Sequence, residues 1–291
     1  MNPFDKHGQW YKGALHVHTT NSDGRRSPQD SMDAHRAHGY DFLSITDHNT
    51  ITDLSASSTV SFLNIPGVEV SYDRNAVGQS YHVCVIGTRT WLDLPKETPI
   101  QQALDRWAEV GALRILAHPY WSGMITPEML PLNQVTGLEV YNTSADTDLG
   151  KALASVHWDD LLVRGKRWWG YAVDDTHGID DDEFGAWVWA KADKLDETSI
   201  LAALLAGEFY ASSGPEIYDY RIEHDVAYMR CSPCRCINLI GHTQWGRQRH
   251  AARGGTITEA EFKLTGNEGY LRAECVDVEG YRAWTNPVFL S

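Results

Sequence analysis

Six short apolar runs in the chain each end at, or contain, a histidine or an acidic residue. A short apolar run that stops at a polar residue is typical of a buried parallel strand that emerges at one edge of a sheet. If the six strands point the same way, their polar ends meet on one face, where barrel enzymes carry their catalytic groups. The runs occupy residues 15–18, 42–48, 65–69, 81–83, 115–118 and 171–177.

The residue types in these runs suit divalent metal ions. His16 and His18 are two residues apart, so on a strand both imidazoles lie on one side and can reach one ion at about 2.1 Å. Glu69 lies between two valines with no neighbouring cation, and metal coordination explains a carboxylate inside a strand. Histidines and acids that gather without matching basic residues indicate a cluster of divalent ions.

Each of these residues also has a simpler interpretation. Asp23 precedes a glycine and could form an ordinary Asx turn, while His82 and His118 could be satisfied histidines of the core. Together the set is more specific than its parts, because its members fall on or directly after predicted strand ends. The candidate metal ligands are His16, His18, Asp23, His48, Glu69, His82, His118, Asp175 and His177.

Four residues near these runs are candidates for substrate binding. Arg25 and Arg26 follow the first acidic loop, and a planar guanidinium suits phosphate oxygens, although both could be solvated loop residues. Tyr120 follows a histidine–proline pair and could stack on a base or sugar, or pack in the core. Asn142 ends another predicted strand that should reach the same face.

Three acidic residues are candidates for the catalytic groups: Glu69, Asp175 and Asp47. Asp47 is adjacent to His48 in the sequence and could orient that imidazole through a hydrogen bond. A turn or capping role for Asp47 is an equal alternative.

The elements that must position these residues alternate between strand and helix from about residue 13 to residue 210. This alternation favours an α/β fold with parallel strands. Ser27 followed by proline predicts a helix to residue 37, before Gly39, and amphipathic helices are predicted over 99–111 and 197–207. After residue 214 short alternating segments predict a small antiparallel β unit. We therefore predict two domains, residues 1–213 and 214–291.

The bulk composition excludes several classes of protein. The 291 residues carry a net charge of −14, which repels phosphate backbones, so we expect no stable binding of nucleic acid. No apolar run approaches the roughly 18 residues of a membrane span, and no secretory signal is visible at the N-terminus. Five cysteines is an odd number, and reduced thiols in a cytoplasmic protein are the simplest interpretation.

A group of cysteines in the C-terminal part suggests a possible zinc site. Cys231, Cys234 and Cys236 are close in sequence, and His242 follows them. The spacing lacks a second pair of ligands, so a strand, a proline turn and a second strand are the favoured interpretation.

The ordered set of motifs resembles the polymerase-and-histidinol-phosphatase (PHP) family. The similarity covers about residues 13–185 and is closer to the stand-alone metallohydrolases than to the polymerase-embedded copies. Some relatives, described as CehA/McbA-like, carry a similar C-terminal β segment. The motifs are His16-x-His18, Asp23-Gly24, Thr46-Asp47-His48-Asn49, Glu69, His82, His118-Pro119 and Asp175-x-His177.

The resemblance implies a distorted (β/α)7 TIM-like barrel over residues 1–213, with up to three metal ions in a trinuclear centre. Family members use manganese, iron or zinc, and the mixed nitrogen and oxygen ligands do not choose among them. By similarity the first ion would be held by His16, His18, Glu69 and Asp175, the second by Glu69, His82 and His118, and the third by Asp23, His48 and His177.

The function that follows is hydrolysis of a small phosphorylated metabolite, such as a nucleotide, a sugar phosphate or a cyclic phosphate. Two or three divalent ions would supply a metal-bridging hydroxide as the nucleophile. Hydrolysis of a carboxylic or carbamate ester on the same site is an alternative, because the same nucleophile attacks carbonyl carbon. A non-catalytic metal-binding module is a further alternative. We expect a small-molecule substrate, no membrane partner and possible homo-oligomers.

Overall fold

The computed structural model describes residues 2–179 and 181–290 of the chain. They form a mixed α/β structure that is rich in sheet and contains six α-helices. None of these helices has the length and apolar character needed to cross a bilayer. The helices are α1 (Pro28–Ala37), α2 (Ile100–Trp107), α3 (Thr126–Met129), α4 (Thr143–Leu149), α5 (Ser155–Val163) and α6 (Glu197–Ala206).

The strands of the described residues fall into two groups along the chain. The first ten are β1 (Gln9–Ala14), β2 (Phe42–Leu43), β3 (Leu63–Asn64), β4 (Gly67–Tyr72), β5 (Tyr81–Ile86), β6 (Leu113–Leu116), β7 (Gly137–Asn142), β8 (Trp169–Val173), β9 (Trp187–Ala192) and β10 (Phe209–Ser212). The other eight are β11 (Ile217–Glu223), β12 (Val226–Cys234), β13 (Cys236–Ile240), β14 (Gly246–His250), β15 (Ile257–Lys263), β16 (Tyr270–Val276), β17 (Arg282–Thr285) and β18 (Val288–Phe289).

Helices α1 and α6 form within one residue of their predicted ends, whereas α2 ends at Trp107, four residues before its predicted end. The hydroxyl of Ser27 accepts a hydrogen bond from the Asp30 N–H at 3.1 Å and begins α1. Asp196 caps α6 in the same way, through the Ser199 N–H at 2.8 Å. Gly207 ends α6 with a φ of +73°, which a residue without a Cβ adopts at little cost.

A five-stranded sheet with the order β4-β5-β6-β7-β8 carries many of the candidate ligands. Strands β6, β7 and β8 run parallel and are joined by helices, as parallel neighbours require. Strand β5 runs antiparallel to both β4 and β6. The sheet is therefore mixed, and its strands do not all point the same way.

The direction of β5 changes how His82 reaches the site. His82 is the second residue of β5, whereas His118 lies two residues after the end of β6. Because β5 is reversed, its beginning lies at the same edge of the sheet as the end of β6. The sequence predicts His82 at this edge if all strands are parallel. The structure places it there because β5 runs in the opposite direction.

A second sheet begins with β3, β2 and β1, which run parallel, and continues antiparallel through β9 and β10. Single-residue bridges, Val17 to Thr176 and His48 to Glu69, connect it to the first sheet. Strand ladders do not close the described residues into a ring. The distorted (β/α)7 barrel that the resemblance implied is therefore not confirmed, and the coarser α/β architecture is what the structure shows.

The C-terminal part is built of antiparallel strands. Strands β11, β12 and β15 form a three-stranded sheet, while β17, β16, β13 and β14 extend the second sheet beyond β10. The two sheets share an apolar core that includes Met229, Phe262 and Leu271. Since β10 pairs with β17, the second sheet runs across residue 213 without interruption. The division into domains at that residue stays a prediction.

A buried ion pair connects the C-terminal strands to helix α5. Arg272 on β16 is fully buried and donates two hydrogen bonds to the Asp159 carboxylate, at 2.7 and 2.6 Å. Its guanidinium lies 4.8 Å from the centroid of a Trp158 ring. A paired, bidentate arginine is the form in which a guanidinium is tolerated inside a protein.

Candidate metal centre

Glu69 lies at the centre of the candidate site. Its side chain is fully buried in the middle of β4, and five imidazoles surround its two oxygens. One of these oxygens, Oε2, lies 2.8 Å from His48 Nδ1 at an angle unsuited to a hydrogen bond. The distances from the Glu69 oxygens are 2.8 Å to His82 Nδ1, 2.8 Å to His48 Nδ1, 3.4 Å to His118 Nε2, 3.4 Å to His18 Nε2 and 3.5 Å to His16 Nε2.

Asp175 forms a second focus with His16 and His18. Its Oδ1 atom lies 3.0 Å from the Nε2 atom of each imidazole, and all three residues are buried. The three side chains are close enough to hold one ion. This is the His-x-His pair that the sequence placed on one side of a strand, together with an acid that lies more than 150 residues away in the chain.

A third group lies at the outer rim of the site. The Asp23 oxygens are 3.5 Å from His18 Nδ1, 3.5 Å from His48 Nε2 and 3.6 Å from His177 Nε2. These distances are too long for good hydrogen bonds and leave room for an ion between the groups. The four side chains together could hold a metal. All nine predicted ligands therefore gather at one place, while their division among separate ions stays a prediction.

The nitrogen atoms of His16 test whether a metal fits. The Nδ1 atom lies 2.6 Å from Glu139 Oε1, so in the neutral imidazole Nδ1 carries the proton and Nε2 presents a lone pair. That lone pair faces His18 Nε2 at 3.1 Å and Asp175 Oδ1 at 3.0 Å. A single proton can bridge one pair of these atoms, whereas a metal ion would accept lone pairs from all three. The donor set therefore fits a divalent cation.

The electrostatics of the site point the same way. Burial opposes charge on His16, yet Asp175 and the other anionic groups nearby raise the pKa of that imidazole well above its usual range. Burial also opposes charge on the acids, but His16 lowers the pKa of both Glu69 and Asp175. The buried carboxylates therefore favour the ionised form and require positively charged partners, which are either protonated imidazoles or metal ions.

The backbone is strained at three positions in the site. Asn49, His118 and Asp175 have positive φ values of 53°, 28° and 57°, in a region that residues other than glycine rarely adopt. Such conformations persist only where the surrounding structure enforces them, and they are concentrated at functional sites. Two of the three residues are predicted ligands.

Glu139 lies beside the candidate ligands but is not among the residues predicted from the sequence. It is buried on β7 and accepts two hydrogen bonds, one from His16 Nδ1 and one from the His118 backbone N–H at 2.7 Å. A carboxylate that fixes the tautomer of a ligand histidine is a common feature of metal sites. The signal was present in the sequence, because Glu139 interrupts an apolar run in the same way as Glu69.

The Asp47 carboxylate accepts hydrogen bonds from the loop that carries Asp23 and from Thr52. Its carboxylate accepts the Thr19 N–H and hydroxyl at 2.7 Å each, the Ser22 hydroxyl at 2.7 Å and the Thr52 hydroxyl at 2.5 Å. These contacts give Asp47 a positioning role. The catalytic role predicted for it stays a prediction.

Asn142 connects two acidic side chains of the site through hydrogen bonds. Its Nδ2 atom donates to Glu139 Oε2 at 2.9 Å and to Asp175 Oδ2 at 3.1 Å, while its Oδ1 accepts the Ala145 N–H at 2.8 Å. Substrate binding, which the sequence predicted for Asn142, would require it to give up one of these bonds.

The other predicted substrate residues lie nearer the surface. Arg26 donates two hydrogen bonds to Glu183, at 2.7 and 2.8 Å, so its guanidinium is already paired. Arg25 is exposed. Tyr120 is 44% exposed, and Lys151 lies 5.7 Å from its ring centroid. Their roles in substrate binding stay predictions.

An open cavity of about 340 Å³ leads to the candidate ligands. Among the described residues its lining includes no lysine or arginine, and Trp121 rather than Tyr120 faces it. The Trp121 ring packs edge-on against His118, with centroids 5.0 Å apart. Besides the ligands, the lining residues are Trp121, Ser144, Ala145, Thr147, Asp148, Ile179 and Asp182.

Comparison with known proteins supports the fold. No family model matches the chain, and no curated protein matches it. A two-domain protein from Bacteroides vulgatus that contains a predicted PHP-like metal-dependent phosphoesterase superposes with a TM-score of 0.53 at 15% identity, over 98% of this chain and 95% of that one. The fold is PHP-like. The resemblance inferred from the motifs is thus confirmed at the level of the fold.

Two weaker structural matches were also found. An amidohydrolase from Chromobacterium violaceum, with bound sulfate and no metal, gives a TM-score of 0.41 at 15% identity over 68% of this chain and 96% of that one. A proposed metal-dependent phosphoesterase from Bifidobacterium adolescentis gives 0.40 at 13% identity over 60% and 91%.

Proposed function

We propose that the protein is a metal-dependent phosphoesterase that hydrolyses a small phosphorylated metabolite. The observation that carries this proposal is the convergence of six imidazoles and three carboxylates around the buried Glu69, with four of the imidazoles and all three carboxylates lining one cavity. Separate segments of the chain supply these side chains, and a structural role would not require so many ionisable groups in one place.

The residues that would hold the ions are those predicted from the sequence. Glu69 lies between the group around Asp175 and the group around His48 and His82, so it is the residue suited to bridge two ions. Bound divalent ions would acidify a water molecule and stabilise negative charge on phosphoester oxygens. Nitrogen and oxygen donors without a cysteine are compatible with manganese, iron or zinc.

The remaining residues would hold this arrangement in place. Glu139 keeps the proton of His16 on Nδ1, so that Nε2 faces the cavity side of the site. Asn142 restrains Asp175 and Glu139 together, and Asp47 restrains the loop of Asp23. Side chains that are already held in position reduce the reorganisation that the reaction would otherwise require.

Hydrolysis of a carboxylic or carbamate ester is the second candidate function. It is favoured by the cavity wall, which among the described residues presents Asp148 and Asp182 but no lysine or arginine to an anionic substrate. If the substrate is instead a phosphoester, recognition of its phosphate would depend on the ions and on the exposed Arg25. We keep the phosphoester as the first proposal because a cluster of divalent ions can itself neutralise a phosphate.

A panel of three chromogenic esters separates the candidates. Nitrophenyl phosphate, a nitrophenyl phosphodiester and nitrophenyl acetate would be tested with manganese, iron and zinc supplied in turn. We expect one of the phosphorus esters to be hydrolysed at least tenfold faster than the acetate, and a chelator to abolish the rate. Faster hydrolysis of the acetate would favour the second candidate, and no turnover of any ester by metal-loaded protein would indicate a binding module.

The expected partners and location are proposals as well. The net charge of −14 supports a small-molecule substrate over stable nucleic-acid binding. Association into homo-oligomers and a cytoplasmic location stay predictions from the sequence.

A further inference from the structure

Three thiols meet in the C-terminal part of the protein, far from the candidate metal centre in the sequence. Cys231 and Cys234 lie on β12, and Cys275 lies on β16 in the facing sheet. Their sulfur atoms are all within 4.8 Å of one another, and all three thiols are free and buried. Cys275 is 39 residues beyond Cys236, the last cysteine of the C-terminal motif, so the spacing could not indicate it.

A backbone irregularity directs two of these thiols to the same interior. Residues three apart on a regular strand face opposite sides of a sheet. Along β12 the buried positions alternate through Met229 and Cys231, and the next buried residue is Cys234 instead of Pro233. The pairing with β15 shifts between Arg230 and Cys234. The bulge thus turns Cys234 inward, beside Cys231.

The proximity of the three sulfur atoms is what makes a disulfide reachable. Each sulfur lies within 4.8 Å of the other two, so every one of the thiols has two candidate partners. The thiolate is the reactive form of cysteine, and the first of the three to lose its proton has a second thiol beside it.

The surroundings favour a disulfide over a bound metal. Structural zinc is almost always held by four ligands, and only three sulfur atoms come together among the described residues. The thiols lie in an apolar core cluster. Three thiolates around a divalent ion would leave a net negative charge in that core, which is costly without a cation. A disulfide is neutral.

We propose that Cys231, Cys234 and Cys275 form an oxidation site in which two of the three thiols make a disulfide. With hydrogen peroxide as oxidant, one thiolate attacks one peroxide oxygen, the O–O bond breaks, and hydroxide leaves as a sulfenic acid forms. The second thiol then attacks that sulfur, the S–S bond forms and water leaves. In sum two thiols lose two hydrogens, the peroxide becomes two waters, and one thiol of the three remains.

The test counts thiols in the full-length protein, independently of its hydrolytic activity. The native chain would be treated with one equivalent of hydrogen peroxide, then denatured and alkylated. We expect the number of free thiols to fall from five to three, the intact mass to fall by two hydrogens, and peptide mapping to find the disulfide between two members of the group. A count that stays at five, or a disulfide that involves Cys84 or Cys236, would overturn the proposal.

Matched variants separate the site from general oxidation. Cys236→Ala removes a neighbouring thiol outside the group and should still lose two thiols. Each single variant, Cys231→Ala, Cys234→Ala or Cys275→Ala, keeps two neighbouring thiols and should still form one disulfide, whereas the double variant Cys231→Ala/Cys275→Ala should keep all three of its thiols. If the double variant does not fold, the peptide map of the native chain decides alone. Retention of one zinc ion per chain that protects all three thiols would also overturn the proposal.

Discussion

Replacing Glu69 with glutamine is expected to lower metal-dependent kcat/KM by on the order of a thousandfold, or about 4 kcal/mol of transition-state stabilisation. The amide has the shape of the carboxylate, so β4 keeps its packing, but it cannot supply the charge that bridges the two groups of imidazoles. Steady-state kinetics on the preferred nitrophenyl ester, with circular dichroism as a check of the fold, would measure the effect.

Glu139→Gln provides the matched control for this experiment. Glu139 is equally buried and contacts His16, but its contacts place it behind the imidazole and not among the ligand atoms that face the cavity. Loss of such a supporting group costs roughly ten- to hundredfold in metal affinity, which excess metal should partly restore. If both variants lose activity to the same extent and neither responds to metal, Glu69 is not the bridging ligand.

Replacing Arg272 with methionine is expected to destabilise the protein by about 3 kcal/mol, at the lower end of the range for breaking a buried ion pair. The arginine is fully buried, while the Asp159 side chain is 31% exposed, so solvent would compensate part of the lost interaction. Glu274 would keep its pair with Arg282. The free energy of unfolding in urea would measure the loss.

The control for Arg272 is an ion pair on the same helix. Arg164 and Asp160 are both exposed, with 47% and 36% of their side chains accessible, so Arg164→Met should cost less than about 1 kcal/mol. A loss of similar size in both variants would show that the Arg272 pair does not connect the C-terminal strands to α5. A much larger loss for Arg272 would support that connection.

The residues with a clear chemical signal were predictable from the sequence. His16 and His18 follow the end of β1 and turn their Nε2 atoms toward the same Asp175 carboxylate, as their spacing of two predicted. An isolated acid such as Glu69 between valines needs a positive partner. These local rules required no knowledge of the tertiary structure. Helix α1 was predictable for a similar reason, since its serine cap and its proline lie next to it in the sequence.

The arrangement of the strands was not predictable in this way. An apolar run that contains a histidine has the same composition in either direction, so the reversal of β5 could not be read from its residues. Closure of the sheets depends on long-range pairing, and the structure joins them at the site by bridges such as His48 to Glu69. Glu139 carries the same local signal as Glu69, an acid inside an apolar run, but its partner His16 is identified only once β7 is placed beside that histidine.

The metal content of the purified protein tests the central claim most directly. The tag-free chain would be loaded with manganese, iron or zinc, desalted and analysed for elements against protein concentration. We expect two or three transition metal ions per chain in the native protein and fewer in the Glu69→Gln variant. Protein that keeps no stoichiometric metal after loading with any of the three would contradict it, because the buried carboxylates would then be neutralised by protons alone.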